Sequence, residues 1–378
     1  MNIVHRGAVL RGDATDSQIV ATHRRYPGKT AARTALFAAL GALSLGLLAC
    51  KPDDRADADA GRSTDDRAAD GAAAVDAGPL TERRPFGVGS FSETLVDASR
   101  PTPAAPDKGI AAAADRTVEL TVLYPTAEAD PPPDDAGIVD GKPVPDDTTT
   151  EAADGPLPLL VFAHGWNGSG ASLVAPASRW ASAGYIVALP TFPLSQEGIA
   201  TDVDMVNQPG DMSFVIDTLL ARSAAPDGPL AGRIDPDRIA VGGHSLGSAT
   251  VFGFHNACCH DERIKAIVAA SGGPAPYSTG DYDAAYTTPM LLVHGVKDPG
   301  VNVAISEAVF AQTPGEMGLL LFDEGDHTSY FGGADGAVLD RVMVAWLDRA
   351  LGLDPTATDG LEEEVAATGR GSLRSKDA

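Results

Sequence analysis

Residues 239–247, with the sequence I-A-V-G-G-H-S-L-G, decide the fold class of this chain. The first part, I-A-V-G, is short and apolar, which is typical of a buried strand. The following residues, S-A-T-V-F-G-F-H-N-A from position 248, have the spacing of a helix. Between them lies G-x-S-x-G, a pattern that is typical of a serine on a tight strand-to-helix turn. The stretch therefore predicts a strand–turn–helix unit that presents Ser245.

The chemistry expected of Ser245 depends on this context. The flanking glycines fit a turn in which the serine backbone is strained and Cβ atoms on its neighbours would clash. Ser245 would also stand at the amino terminus of a helix, whose N–H groups favour developing negative charge. We expect Ser245 to be a nucleophile; the alternative is a chance string, because G-x-S-x-G alone is common.

Short apolar runs alternate with helical spacing on both sides of this unit. Strands are predicted at 117–124, 159–163, 185–189, 239–242, 264–269, 290–294 and 319–322, and helices at 172–183, 211–221, 246–257, 302–312 and 334–351. Runs such as L-L-V-F-A at 159–163 are apolar throughout, as in strands that are buried on both faces. This alternation predicts one α/β domain over 81–354, with a mostly parallel, doubly wound sheet flanked by helices and no lid domain.

The remaining segments are polar and acidic. Residues 50–80 and the insertion at about 128–156 are rich in Asp, Ala, Gly and Pro, and cannot bury enough apolar surface to offset the entropy of ordering. We expect a flexible tether and a solvated surface insertion. The last stretch, 355–378, is also expected to be disordered.

The amino-terminal region has the order of features found in export signals. Basic residues at 24–33 precede the uncharged run 34–49, T-A-L-F-A-A-L-G-A-L-S-L-G-L-L-A, and Cys50 follows. The run is short for a membrane span, which needs about 20 residues, but suits the apolar part of a signal peptide. We expect residues 1–49 to be a signal peptide with a long n-region that ends before a cysteine to be lipidated. The alternatives are an ordinary signal peptide and a buried helix that happens to end in Cys.

Composition restricts the partners. The formal net charge is −24, which argues against nucleic acid and against docking on anionic lipid headgroups. Of the three cysteines, Cys258 and Cys259 are adjacent. They could close a strained ring, but we expect two reduced, buried thiols. No spaced His/Cys cluster of the zinc type is present in the sequence, so no metal is expected.

A serine nucleophile needs a base and an acid that orients it, in the chain order Ser, Asp, His for this type of fold. His327 lies in F-D-E-G-D-H-T-S-Y, directly after the last predicted core strand, where a loop can carry an imidazole back over Ser245. Asp298 follows the strand M-L-L-V-H. Asp323 and Asp326 compete with Asp298 because they are close to His327 in sequence.

Two further elements of the site can be proposed from position alone. The backbone N–H of Leu246 and that of Trp166, in the loop after L-L-V-F-A, are the expected oxyanion donors. His164 is expected to brace this loop rather than carry protons. Trp166 and Tyr330, with Phe331, are candidates to wall an apolar substrate site, or else belong to the core.

The segments L-P-L-L-V-F-A-H-G-W-N-G, G-G-H-S-L-G, V-H-G-V-K-D and G-D-H-T-S-Y together resemble the α/β-hydrolase superfamily. The likeness covers about 117–351 and is greatest to the dienelactone-hydrolase-like, chlorophyllase-like and cutinase-like branch. It implies cleavage of small-molecule carboxylic esters without metal or organic cofactor, with the triad Ser245, Asp298 and His327. The sequence departs from dienelactone hydrolases in having Ser, not Cys, as the nucleophile. It departs from many polyester hydrolases in having Ser248 where they have a second Gly after Gly247.

The sequence L-L-A-C, ending at Cys50, similarly resembles the lipobox of bacterial lipoproteins. That resemblance implies cleavage before Cys50, lipidation of its side chain and a membrane anchor on the outside of the cell, in the outer membrane where there is one, as Lys51 suggests. A serine peptidase on the same fold, and a non-catalytic binding lipoprotein, remain the alternative functions.

Overall fold

The computed structural model describes residues 86–127, 153, 155–256, 258–275 and 287–377. A nine-stranded sheet runs through this part of the chain in the order β1-β2-β4-β3-β5-β6-β7-β8-β9. Six neighbouring strands of this sheet are parallel, namely β4, β3, β5, β6, β7 and β8, while β1, β2 and β9 pair antiparallel at the two edges. The strands are β1 (Gly87–Asp97), β2 (Arg116–Thr126), β3 (Leu157–Ala163), β4 (Ile186–Thr191), β5 (Ile234–His244), β6 (Ile264–Ala270), β7 (Met290–Gly295), β8 (Met317–Phe322) and β9 (Gly371–Lys376).

Helices cover both faces of the sheet. They are α1 (Val174–Ser182), α2 (Gln208–Ala224), α3 (Leu246–Phe252), α4 (Ala304–Gln312), α5 (Gly333–Ala350) and α6 (Leu361–Ala367), with 3₁₀ turns at Pro106–Lys108, Gly170–Leu173, Asp202–Asn207, Gly253–His255 and Ser329–Phe331. On one face α2, α3 and α4 contribute to a core, and on the other α1, α5 and α6 do so. The sheet is thus doubly wound.

Strand β3 illustrates how the sequence divides between the two cores. All seven of its residues are buried. Leu159 and Val161 belong to the core with α2, whereas Leu160 and Phe162 belong to the core with α1 and α5. Side chains alternate between the faces of a strand, so a continuous apolar run is needed where both faces are covered. Truncation of Phe162 to Ala would cost about 3–5 kcal/mol of stability.

The order of the central strands defines where a site can form. From β3 the chain passes through α1 to β4 on one side, and β5 then lies on the other side of β3. This is a topological switch point, and in open α/β sheets ligands bind in the crevice outside the carboxyl ends of such strands. The loop after β3 and the turn after β5, which holds Ser245, both lie there.

A buried ion cluster fixes the segment between β4 and α2. Arg116 of β2 donates to Asp204 at 2.8 and 3.0 Å and to Asp211 at 2.7 and 2.5 Å. The three side chains have almost no exposed surface. Because a buried charge without a partner is costly, the cluster holds this segment against β2.

The predicted fold class is confirmed: the sheet is mostly parallel and helices cover both faces. All seven predicted strands and five predicted helices are present, with shifts of a few residues at their ends. Strand β1 was not predicted.

The prediction that 355–378 is disordered is wrong for the residues that the structure describes. Helix α6 buries Leu361 and Val365, and β9 pairs antiparallel with β8, with Leu373 opposite Leu320. These few apolar residues sit at spacings that face the core, although the segment is polar in composition. Its packing on the sheet edge supplies the order that its composition did not suggest.

The expectation of two reduced thiols is also wrong, because Cys258 and Cys259 form a disulfide with an S–S distance of 2.07 Å. The expected signal peptide, Cys50, the tether at 50–80 and nearly all of the insertion at 128–156 lie outside the described residues. Within the described ranges, no helix has both the length and the apolar character needed to span a bilayer.

Candidate active site

Ser245 occupies a strained turn between β5 and α3. Its φ is 57° and its ψ is −115°, a conformation that L-residues rarely adopt and that is concentrated at functional sites. The flanking glycines make this turn possible. A Cβ on Gly243 would lie 2.1 Å from the carbonyl oxygen of Gly247, and one on Gly247 would lie 2.3 Å from that of Ala163. The G-x-S-x-G pattern is therefore required by backbone contact.

The loop after β3 passes directly beside Ser245. A Cβ on Gly165 would lie 3.1 Å from the Ser245 Cβ, so only glycine fits comfortably there. His164 Nδ1–H donates to the Gly165 carbonyl at 2.7 Å, and His164 Nε2 accepts from the Phe192 N–H at 3.2 Å. Burial lowers the pKa of His164 to about 4, so its ring is neutral, as these two bonds require. His164 braces the loop.

This bracing orients the expected oxyanion donor. Because a trans peptide directs its C=O and N–H in opposite directions, the Gly165 carbonyl that faces His164 turns the Trp166 N–H away from it. The second expected donor, the N–H of Leu246, belongs to the first residue of α3, where helix N–H groups have no partner within the helix. The Trp166 side chain is 39% exposed and lies at the surface of this loop.

Asp298 and His327 form a hydrogen-bonded pair. His327 lies on the loop after β8, and its Nδ1–H donates to Asp298 Oδ2 at 2.7 Å. The Asp298 side chain is fully buried, whereas the His327 side chain is 28% exposed. The pair therefore consists of a buried carboxylate and a partly exposed imidazole.

The second oxygen of Asp298 holds its own loop. Asp298 Oδ1 accepts the N–H groups of Gly300 at 2.7 Å and Val301 at 2.9 Å. Burial by itself raises the pKa of Asp298, but the hydrogen bonds from His294, His327 and Val301 outweigh it and hold that pKa far below its usual range. Asp298 therefore uses one oxygen to hold its own turn and the other to orient His327.

His244 connects the turn of Ser245 to the loop of His327. Its Nε2–H donates to the His327 carbonyl at 2.8 Å, and the two ring centroids are 4.7 Å apart. Burial, with the nearby His327 as a smaller cause, lowers the pKa of His244 to about 3, so its ring is neutral. The residue next to Ser245 in sequence thus touches the predicted base.

The competing acids face elsewhere. Asp326 Oδ1 accepts the N–H groups of Thr328 and Ser329 and caps its own turn. Asp323 is exposed, and its backbone N–H donates to the Arg370 carbonyl. The carboxylate that contacts His327 is that of Asp298.

Tyr330 does not line an open site, contrary to the expectation from sequence. Its side chain has no exposed surface, stacks on Phe322 and donates its hydroxyl to Ser271 Oγ at 2.6 Å. Phe331 is likewise buried in the core. An aromatic residue shortly after His327 suggested a substrate wall, but packing against β8 turned it inward.

The part of the chain covered by the structure contains no group of three or more His, Cys, Asp or Glu side chains that could hold a metal ion. His294 is a contact of Asp298 that the sequence did not single out. Its position at the end of β7, in the same strand-and-loop unit as Asp298, was the available signal.

Comparison with known proteins supports the fold. The chain resembles a solved structure titled a ferulic acid esterase from Streptomyces cinnamoneus, with a TM-score of 0.52 and 23% identity, over 72% of this chain and 92% of that one. No protein-family model and no curated protein sequence matches the chain. The sheet order, the strained serine turn and this likeness identify an α/β-hydrolase fold.

Proposed function

We propose that this chain is a serine hydrolase that cleaves carboxylic esters through Ser245, His327 and Asp298, with a covalent acyl-enzyme intermediate. The observation that carries the proposal is the strained Ser245 turn at the switch point, together with the Asp298–His327 hydrogen bond at the same edge of the sheet. The likeness to a structure titled an esterase supports it as well.

The first half of the reaction forms the acyl-enzyme. Ser245 Oγ attacks the ester carbonyl carbon while His327 Nε2 takes the hydroxyl proton. Asp298 keeps the other proton on Nδ1 and stabilises the imidazolium. The tetrahedral intermediate then breaks its bond to the alkoxy oxygen, and that oxygen takes the proton from His327 as the alcohol leaves.

The second half releases the acid. Water attacks the acyl carbon while His327 Nε2 takes a proton from it, and the bond to Ser245 Oγ breaks with return of that proton to the serine. The backbone N–H groups of Leu246 and Trp166 stabilise the oxyanion in both halves. One such donor contributes on the order of 10²- to 10³-fold in turnover in serine hydrolases.

The substrate class that this arrangement favours is a small-molecule ester. Trp166 is half-exposed on the expected oxyanion loop, where its ring would offer an apolar surface to a substrate. Esters of hydroxycinnamic acids are reasonable members of the test panel because the structural neighbour is titled a ferulic acid esterase. No metal or organic cofactor takes part in the proposed steps.

We further propose that the chain is exported and anchored in the cell envelope by lipid on Cys50. The basic flank at 24–33, the uncharged run 34–49 and the cysteine that follows support this. Mass spectrometry of the membrane-purified protein should find an acylated Cys50 as the first residue. Retention of any residue before Cys50 would contradict the lipoprotein proposal and leave the hydrolase proposal intact.

The experiment for the activity compares wild type with Ser245→Ala on p-nitrophenyl esters of graded chain length, on methyl ferulate and on peptide substrates. Wild type should cleave esters and bind a fluorophosphonate covalently. Ser245→Ala should fold normally and lose nearly all activity and labelling, since loss of a triad member costs several orders of magnitude. Ester turnover by Ser245→Ala within tenfold of wild type would disprove the mechanism.

The other arms separate the alternatives. Cleavage of peptides but not esters would identify a serine peptidase. A wild-type protein that neither cleaves any substrate nor reacts with the fluorophosphonate would be a non-catalytic binding protein.

A further inference from the structure

The carboxylate of Asp298 contacts a second histidine besides His327. His294 is the fifth residue of β7, and its Nε2 lies 3.3 Å from Asp298 Oδ2 and 3.0 Å from the Val301 carbonyl. Its Nδ1 lies 2.7 Å from Ser306 Oγ, on α4. The side chains of His294, Asp298 and Ser306 have no exposed surface.

The partners fix the tautomer of His294. A carbonyl oxygen only accepts, so Nε2 carries the hydrogen that faces Val301 and Asp298. In that tautomer Nδ1 has a lone pair, and the Ser306 hydroxyl donates to it. Ser306 thereby keeps the N–H of His294 directed at Asp298.

We propose that His294 and Ser306 are positioning residues that hold Oδ2 of Asp298 in line with His327 Nδ1. This rests on the proposed hydrolase function. Oδ2 lies between two imidazoles, and Oδ1 is held by two backbone N–H groups, so the carboxylate is fixed on both of its oxygens. His294 acts through Asp298 and does not touch the reacting atoms.

The charge on Oδ2 is shared between the two imidazole N–H groups. Without the His294 donor, that charge would be directed at His327 alone, and His327 would hold its proton more strongly. The other titratable groups that face this cluster are His244 from β5, Asp326 from the loop after β8, and Tyr330. They are the same in every variant below, so a change in pH dependence reports on the His294 contact.

The test uses the full chain with p-nitrophenyl butyrate, and measures kcat and KM across pH in three variants. His294→Leu removes the donor, His294→Gln can place an amide N–H near the position of Nε2, and Ser306→Ala removes the group that fixes the tautomer. His255→Leu is the matched control, because His255 is also a buried histidine but follows α3, at the end of that helix away from Ser245. Thermal unfolding by circular dichroism reports the stability of each variant.

His294→Leu should lower kcat by on the order of 10²-fold, as misplacement of catalytic groups does, with KM within about twofold of wild type. The acidic limb of its kcat profile should shift to higher pH. His294→Gln should recover most of the kcat and the wild-type limb, and Ser306→Ala should lower kcat severalfold without a change in KM. His255→Leu should lower stability only.

If folded His294→Leu has the kcat of wild type and the acidic limb of its kcat profile is not shifted, the proposal is overturned. If that variant does not fold, wild-type kinetics in Ser306→Ala and a dead His294→Gln would do so. The low-field proton NMR signal of His327 Nδ1–H reads the same contact without substrate, and should change position or broaden in His294→Leu but not in His255→Leu. This readout separates failure of the inference from failure of the ester hydrolase proposal.

Discussion

Replacement of Asp298 by Asn removes one charge and puts a donor in place of the acceptor Oδ2. Oδ1 of Asp298 accepts two backbone N–H groups, so the oxygen of the introduced amide would take that position to keep both bonds. The amide NH₂ would then face His327, where an acceptor now stands. His327 would have to turn its lone pair on Nδ1 towards the amide and carry its hydrogen on Nε2.

The consequence for the reaction follows from that tautomer. With hydrogen on Nε2, His327 cannot take the proton of Ser245. In the serine-protease precedent the same change lowers turnover by about 10⁴, equivalent to roughly 5 kcal/mol of transition-state stabilisation. The donor clash between the new amide and the His294 N–H adds to this loss. We expect kcat of Asp298→Asn on p-nitrophenyl esters to fall by about 10⁴, with little change in thermal stability.

Asp326→Asn is the matched control. Asp326 Oδ1 also accepts two backbone N–H groups of its own turn, and an Asn oxygen can keep both bonds. Its kcat should stay within about threefold of wild type, since surface substitutions away from the site have small effects. If Asp326→Asn is the crippled variant and Asp298→Asn the mild one, the orienting acid belongs to the histidine loop and the reasoning is wrong.

Three other predictions concern stability. The neutral rings of His164, His244 and His255 have pKa values lowered by burial to about 4, 3 and 4, so between pH 8 and pH 5 the unfolded chain takes up protons that the folded one refuses. Each of the three histidines should therefore lower the free energy of unfolding at pH 5 by roughly 2 kcal/mol relative to pH 8, measured by urea denaturation. Equal stability at pH 8 and pH 5 would contradict this. Gly243→Ala should be strongly destabilised in the same urea denaturation assay and inactive on p-nitrophenyl esters, because its Cβ would lie 2.1 Å from a backbone oxygen. Arg116→Leu should lose about 3–5 kcal/mol by urea denaturation, because the buried carboxylates of Asp204 and Asp211 lose their bonds to Arg116, although Arg100 still contacts Asp211. A loss below about 1 kcal/mol would refute that.

The parallel part of the sheet could be predicted from the sequence because each of its strands is defined by a few adjacent residues. A strand that is buried on both faces, such as 159–163, must be apolar throughout, and that requirement is visible in a handful of residues. The turn at Ser245 is local in the same way, since Gly243 is required by its contact with the backbone of Gly247. Chain order then indicated Asp298 and His327, although their contact spans 29 positions.

Other features depend on packing that no single segment encodes. Strand β9 contributes only Leu373 to the core, and its order comes from pairing along the whole of β8 rather than from its own composition. The inward orientation of Tyr330 depends on the stack with Phe322. The role of His294 depends on Ser306, which α4 brings against β7.

Four histidines lie at this edge of the sheet, and burial decides which of them can accept a proton in a reaction. His164 and His294 each use both ring nitrogens in hydrogen bonds within the protein, so neither has a free lone pair for a substrate. His244 is buried, and its Nε2–H donates to the carbonyl of His327. His327 alone of the four combines exposed surface with a carboxylate that fixes its tautomer. A general base has to reach its substrate and hold the correct nitrogen free, so His327 is the histidine of this cluster that suits the proposed role, while the hydrogen bonds of the other three hold the loops around it.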